Sequence, residues 1–465
     1  MFAVSATTLF PLKGRFQTIK EFLMNRFATL LNSYFAIERN GSSIKQECIG
    51  GLTTFMAMAY VIFLVPSMLH DAGLPKEAAF TATIVVTALS TLAMGLFANF
   101  PVALAPGIGI TAFFAYYVCG TMGLAWQTGL GAVFISGIVF LFLTVPRLRQ
   151  LIIDSVPMDL KYAIVVGIGM FIAFIGLRNC GLIVADAATL VALGNLTDLK
   201  VLLAASGVCI IAGLMARKVS GALLLGILMV TGLGMLAGVT PAPTSLTSVA
   251  GFDFPDIAPV LLQLDIMEAV HYGLFTIIFS LTMVDLFDSI GTLIGLSRKA
   301  GLMDAKGHVP GLDKALLTDS LATMAGACLG TSTATSYIES AAGVAAGGRT
   351  GLAAVVTALL FLVSLVFAPL VALVPGFATA PALVIVGALM MQEVTHINFG
   401  DTTIAVPAFL TIAAMPLTYS ITSGFGLGFI SYALIKTLAG RPKEVSPVIW
   451  IVALSFAINF SLRLH

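Results

Sequence analysis

The sequence predicts an all-α polytopic membrane protein made of two inverted sets of seven spans. Three observations lead there. Of 465 residues, 59% are hydrophobic and 10% charged, against roughly 25% charged in ordinary soluble domains. Mean hydropathy is +1.05. Apolar runs near the ~20 residues needed to cross a bilayer as a helix recur along the whole chain, and two long stretches repeat each other's punctuation. A soluble enzyme, a disordered chain and a single-pass anchor are excluded. A transmembrane barrel would show weak alternating segments of about ten residues instead. With 23 basic and 22 acidic residues there is no field to gather phosphates, so nucleic acid is not an expected partner.

Residues 1–47 carry six positive charges and no apolar core with a cleavage site, so they read as a cytosolic N-terminal arm, partly amphipathic between Phe22 and Phe35. The first repeat, 48–238, holds spans at 48–69, 79–99, 101–120, 127–145, 161–178, 199–216 and 219–238. A polar linker, 239–270, follows. The second repeat, 271–438, holds spans at 271–296, 314–330, 331–348, 351–373, 378–392, 402–419 and 421–438. A C-terminal segment, 439–465, contains one more apolar stretch at 447–462, which either crosses or lies along the surface. Lys and Arg test this count, because cytoplasmic loops are enriched in them. With the N-terminus in the cytosol, that side collects the arm, Arg147, Arg149, Lys161, Arg217, Lys218, Arg298, Lys299, Lys306, Lys314, Arg349, Lys436, Arg441 and Lys443. The outside collects Lys76, Arg178 and Lys200. Between Thr240 and Glu268 there are Asp253, Asp256, Asp265 and Glu268 but no basic residue.

The repeat is visible in order. Asp198 opens one pair of spans and Asp401 another. Ser220-Gly221 matches Ser423-Gly424, and each half ends on Leu-Ala-Gly (236–238 and 438–440). Val156-Pro157 and Val374-Pro375 precede equivalent helices. Seven is odd, so the halves lie in opposite orientations, as in many secondary transporters. The third span of each half reads as discontinuous. Pro101, Pro106, Gly107 and Gly109 oppose a continuous helix in one. Thr/Ser alternation from Thr331 to Ser336, then a small-residue helix, gives the other an extended start. Non-helical backbone at this depth survives only inside protein or along a cavity.

Intramembrane acids are functional by default. Asp285 and Asp288 lie inside the eighth span, and Glu339 just after the break in the tenth. Asp285 reads equally well as a structural acid capping a neighbour. Asp319, one turn into the ninth span, reads as interfacial. Gly347-Gly348-Arg349-Thr350 lacks the lysine of a phosphate loop. The five cysteines and five histidines are scattered and form no pair or metal cluster. Neither metal nor cofactor is expected, and no nucleophile–base grouping points to an enzyme. A channel would need a charge ring or repeated filter.

At four stretches the chain resembles the nucleobase–cation symporter-2 group, in its AzgA-like purine branch. These are Gly51 to Tyr60, Ala103 to Gly109, Asp285 to Thr292 and Thr335 to Gly343; the run 407–412 belongs with them. The resemblance covers roughly 33–440. It implies core and gate domains, with the third and tenth spans each a short strand plus a half-helix. It also implies base contact by Asp288 and Glu339, and a bacterial cytoplasmic membrane. Val65 and Thr111 stand where relatives often carry Asn, which leans the reading toward guanine and hypoxanthine over adenine. The expected substrate site is Asp288, Glu339, Thr111, Gly107, Gly109, Tyr337 and Ser336.

Chemistry agrees with that site. Oxopurines present adjacent N–H donors beside ring acceptors, and a carboxylate accepts two such bonds. Backbone N–H groups at the half-helix ends can meet the acceptors. Phe113, Phe114, Tyr116 and Tyr337 are stacking candidates. An acid that loads a proton outside and releases it inside would couple transport to protons; Asp288, Glu339 and Asp285 are the candidates, Asp288 first. Expected partners are thus a purine base, a co-transported proton and membrane lipid, with a homodimer left open. The alternative of the same fold is an anion carrier resembling sulfate or bicarbonate transporters, and two carboxylates aimed at an anion oppose it.

Overall fold

A computed structural model describes residues 26, 28–144, 155–243, 245, 249–251, 254–271, 275–303 and 309–462. The expectations placed on Phe22 and most of the arm, and on Arg147, Arg149, Asp253 and Lys306, lie outside the described residues. Helices occupy the apolar runs. The first repeat comprises Ile44–Asp71, Lys76–Ala98, a third span broken at Leu104–Pro106, Trp126–Leu143, Met158–Asn179, Leu199–Ala216 and Ala222–Leu236. In the second lie Phe275–Ala300, Leu312–Leu329, a tenth span broken at Ala334–Ser336, Gly351–Leu373, Gly376–Met390, Thr402–Leu417 and Ile421–Leu438. Among the described residues, nine helices are long and apolar enough to cross a membrane, and four shorter apolar ones accompany them.

The repeated punctuation does the same local work in both halves. Helix starts leave backbone N–H groups without partners. Asp198 accepts from Lys200 N and Asp401 from Thr403 N, each at 2.9 Å. Pro157 and Pro375 each stand immediately before a long helix, where a missing N–H costs nothing. Two features were not evident beforehand. A hairpin of Ile183–Asp186 and Leu190–Leu193 follows the fifth span. The Pro447–Leu462 helix packs on the fourteenth span, burying Ile449 and Phe456.

The spans pack in two groups. The first four pack with the eighth to eleventh, and the fifth to seventh with the twelfth to fourteenth. Within the second group the fifth and twelfth spans touch backbone to backbone. A Cβ added at Gly387 would collide with the Gly169 carbonyl. Small residues allow such approach where lipid gives helices no hydrophobic reason to associate.

Candidate functional site

The two breaks satisfy each other. Leu104–Pro106 and Ala334–Ser336 pair antiparallel, with Leu104 opposite Ser336, Ala105 opposite Thr335 and Pro106 opposite Ala334. Gly107 N donates to Thr333 O and Tyr337 N to Ala103 O, both at 2.9 Å. In this register the ladder does not use the N–H of position 106, so proline fits there. The outer edges of the two strands are covered by hydroxyls. Leu104 N donates to Thr91 Oγ1, and Thr91 Oγ1 donates back to Leu104 O, each at 2.9 Å. On the other edge Thr323 Oγ1 lies 3.0 Å from Ala334 O. Half-helices leave the crossing in opposite directions, as Ile108–Thr121 and Ser340–Ala345.

Beside the crossing lies a cavity of about 770 Å³ of empty space, its mouth included. One wall carries Gly107, Gly109, Asp288, Thr292, Ser336, Tyr337 and Glu339; the other is Ile164, Ile168, Ile172, Val386 and Met390 from the fifth and twelfth spans. It therefore lies between the two packing groups. Asp288 is open to this space and Glu339 half-buried. Glu339 stands directly before Ser340, yet its side chain makes no helix cap. Its Oε1 accepts instead from Tyr60 Oη at 2.6 Å. Tyr60 is fully buried, at the interruption between the two segments of the first span.

Side-chain neighbours leave little room for a Cβ at both cavity positions of the third span. A Cβ on Gly107 would come within 2.9 Å of Thr335 Oγ1, and one on Gly109 within 2.7 Å of Ile168 Cγ2. Tyr337 turns its ring to the cavity while its hydroxyl donates to Pro106 O at 2.6 Å, bracing one strand against the other. Ser336 lines the cavity and donates to Asp319 Oδ2 at 3.2 Å.

Other expected members stand elsewhere. Thr111 is fully buried outside the cavity lining; its hydroxyl bonds Gly107 O and shares a hydrogen bond with Ser332 Oγ. Asp285 is also behind the wall, 2.9 Å from Thr323 Oγ1. Phe113 and Phe114 are buried away from the cavity, Phe113 stacking on Tyr117 at 5.2 Å. Tyr116 turns the other way, donating to Asp71 Oδ2 and accepting from Asn179. The aromatic rings at the cavity are Tyr337 and Phe287, the latter under the Lys161 ammonium at 5.3 Å. Asp319 corrects an expectation: it is fully buried, not interfacial, because the tenth-span strand lies against it. Tyr60 and Phe287 were missed as site residues. Tyr60 closes the Gly51 to Tyr60 stretch and Phe287 lies within Asp285 to Thr292, so the resemblance marked both segments without giving either residue a role.

A seven-plus-seven inverted fold whose paired breaks border a polar-walled cavity defines a secondary-transporter class. In fold the chain is similar to the transmembrane domain of a cyanobacterium bicarbonate transporter, BicA. The TM-score is 0.62 at 16% identity, covering 81% of this chain and 96% of that one. A family model described as a permease family, Xan_ur_permease, matches residues 45–427. The chain belongs to the nucleobase–cation symporter-2 family of permeases. It is 44% identical to adenine permease AdeP of Escherichia coli, over 92% of this chain and 96% of the relative. It is 43% identical to guanine/hypoxanthine permease PbuO of Bacillus subtilis, over 91% and 99%.

Proposed function

We propose that this chain takes up purine nucleobases across a bacterial cytoplasmic membrane, coupled to protons, by alternating movement of its two packing groups. The eight spans around the paired breaks act as the core, and the six carrying the apolar wall as the gate. The observation that carries this reading is the pairing of Glu339 and Asp288 on one wall of the cavity. Two acceptor carboxylates suit a flat neutral ring rich in N–H donors. They do not suit an anion, so the bicarbonate carriers of similar fold serve as a guide to architecture alone. Glu339 accepts the ring N–H groups and Asp288 a second donor; backbone N–H groups near Gly107 and Gly109 meet a ring acceptor, and Phe287 or Tyr337 flanks the face. Neither adenine nor the oxopurines is excluded by acceptors alone; the lean toward guanine and hypoxanthine rests on Val65 and Thr111.

Uptake of radiolabelled hypoxanthine, competed by a panel of bases with and without a proton uncoupler, tests the reading. Purines should compete, pyrimidines should not, and the uncoupler should abolish accumulation. Competition by bicarbonate or sulfate instead would overturn it. Orientation is tested separately. A cysteine at exposed Ala258 should react with an impermeant thiol reagent in intact cells, and one near Lys299 should not.

A further inference from the structure

Behind the polar wall, outside the cavity, two acids of different spans meet without a cation. Asp285 of the eighth span and Asp319 of the ninth are 1% and 0% exposed. Asp285 Oδ1, Asp319 Oδ1 and Ser289 Oγ are buried together, with Ser289 within reach of both acids and no cation among them. The fourth span, packed on this side, contributes no ionisable group. The ninth contributes Asp319 and, near its start, Asp313 and Lys314, the latter over the Phe97 ring. Asp288 lies one turn along Asp285's own helix, and the tenth span contributes Tyr337 and Glu339, tied to Pro106 and Tyr60. Two negative charges at 285 and 319 would repel each other in a low dielectric.

Hydrogen-bond geometry bears on which form one of them takes. A threonine hydroxyl has a single proton to give. Thr91 and Thr323 occupy matching places in the two repeats, on the second and ninth spans, each against the outer edge of its broken strand. Thr91 receives a proton from Leu104 N–H and gives its own to Leu104 O. Thr323 has Ala334 O at 3.0 Å and, where the incoming donor should stand, Asp285 Oδ2 at 2.9 Å. A proton on Oδ2 makes both contacts full hydrogen bonds; without it Thr323 must share its one proton between two acceptors, as Thr357 does between the Gly51 and Ala353 carbonyls. An ionised Asp285 draws that shared proton toward Oδ2 and weakens the bond to the buried Ala334 carbonyl.

We infer that Asp285 is a proton-binding site whose proton, relayed through Thr323, holds the tenth-span strand in place. The inference rests on the transport reading for its role in coupling. When the Asp285 O–H bond breaks, H⁺ passes to water and the carboxylate keeps the electron pair. Thr323 then turns its hydroxyl to Oδ2, Ala334 O is released, and the strand leading to Glu339 loses its outer tether. Protonation and the position of Glu339 are thereby linked in both directions. The coupling proton moves from Asp288, where sequence alone would put it, one helical turn back to Asp285. Among the described residues no group of three or more His, Cys, Asp or Glu could hold a metal ion, and the ligand proposed here is a proton.

The test uses the full-length protein in proteoliposomes. Asp285→Asn keeps an N–H donor toward Thr323 but cannot release a proton. It should bind and exchange hypoxanthine like the unmodified chain, while accumulation driven by a pH gradient falls at least about tenfold. Thr323→Val should lose accumulation too, and Thr323→Ser should restore it. Unchanged accumulation in Asp285→Asn, or accumulation driven by a sodium gradient in the unmodified chain, overturns the inference. An infrared difference spectrum gives a readout independent of transport. The carbonyl stretch of a buried neutral carboxylic acid should vanish in Asp285→Asn and move to higher frequency in Thr323→Val as the acid loses its acceptor. Failure of the unmodified protein to bind any purine, with that band present, would refute the substrate and leave the proton site standing.

Discussion

The two broken spans answer the same problem with different chemistry. In the first half the strand edge is closed by Thr91 alone, and the break itself is Pro-Gly-Ile-Gly, with no ionisable side chain. In the second half the matching threonine is wedged between a backbone carbonyl and an acid, Ser336 of the same strand bonds Asp319, and Glu339 follows three residues on. The first break therefore supplies fixed backbone geometry, and the second supplies groups whose charge can change. A repeat that began as two like units has divided the labour: one half shapes the site and the other can respond to it.

The sharpest way to break this comparison is Glu339→Gln. It keeps the shape, including an acceptor for Tyr60, and removes the charge. Base binding measured on the purified protein should fall by two orders of magnitude or so, since losing a charge-assisted bidentate contact costs about 1.5–3 kcal/mol or more. Gly109→Ala probes the shaping half. The new methyl would press on Ile168, so uptake should slow severalfold while binding, read by hypoxanthine titration, changes less; equal loss of both would mean that Gly109 also contacts the base. Tyr60→Phe leaves Glu339 without its partner at 2.6 Å and should weaken binding by about fivefold to tenfold, the ~1 kcal/mol net worth of one hydrogen bond.

The smallest effect lies at the caps. Thr403, through its hydroxyl and its backbone N–H, holds the Asp401 carboxyl below the ordinary aspartate range. A carboxyl lowered in the folded state contributes stability above its unfolded pKa, and that contribution is lost as pH falls through the lowered value. Asp401→Asn should therefore lower the thermal midpoint slightly near neutral pH and not at all in strong acid. Asp198→Asn, whose carboxylate has no Arg441 beside it, should do less.

Much of this was legible because it is local. Helix length, the capping aspartates, the prolines before the fifth and twelfth spans and the breaks at Pro106 and Thr331–Ser336 are each decided within a few residues. The acids of the eighth and tenth spans stood out because charge is scarce there. What could not be read depends on distant partners. Tyr60 and Glu339 are 279 residues apart, and a tyrosine in an apolar run looks the same whether its hydroxyl meets lipid headgroups or a carboxylate. Asp319 looked interfacial from its place along its own helix; its burial comes from a strand of the next span. Phe113, Phe114 and Tyr116 share a segment with the cavity glycines, but helical rotation turns their rings elsewhere.

The wall opposite the acids has one more consequence. Ile164, Ile168, Ile172, Val386 and Met390 offer a base no hydrogen bond. A surface of that kind grips a flat ring by shape alone and has no directional bond to rupture when it shifts. On the proposed reading, the substrate stays fastened to one side while the other slips past it, much as a greased plate moves over a clamped disc. What resists the stroke is then the reshuffling of methyl contacts, each only a few tenths of a kcal/mol or less, and not the loss of any bond that recognises the cargo.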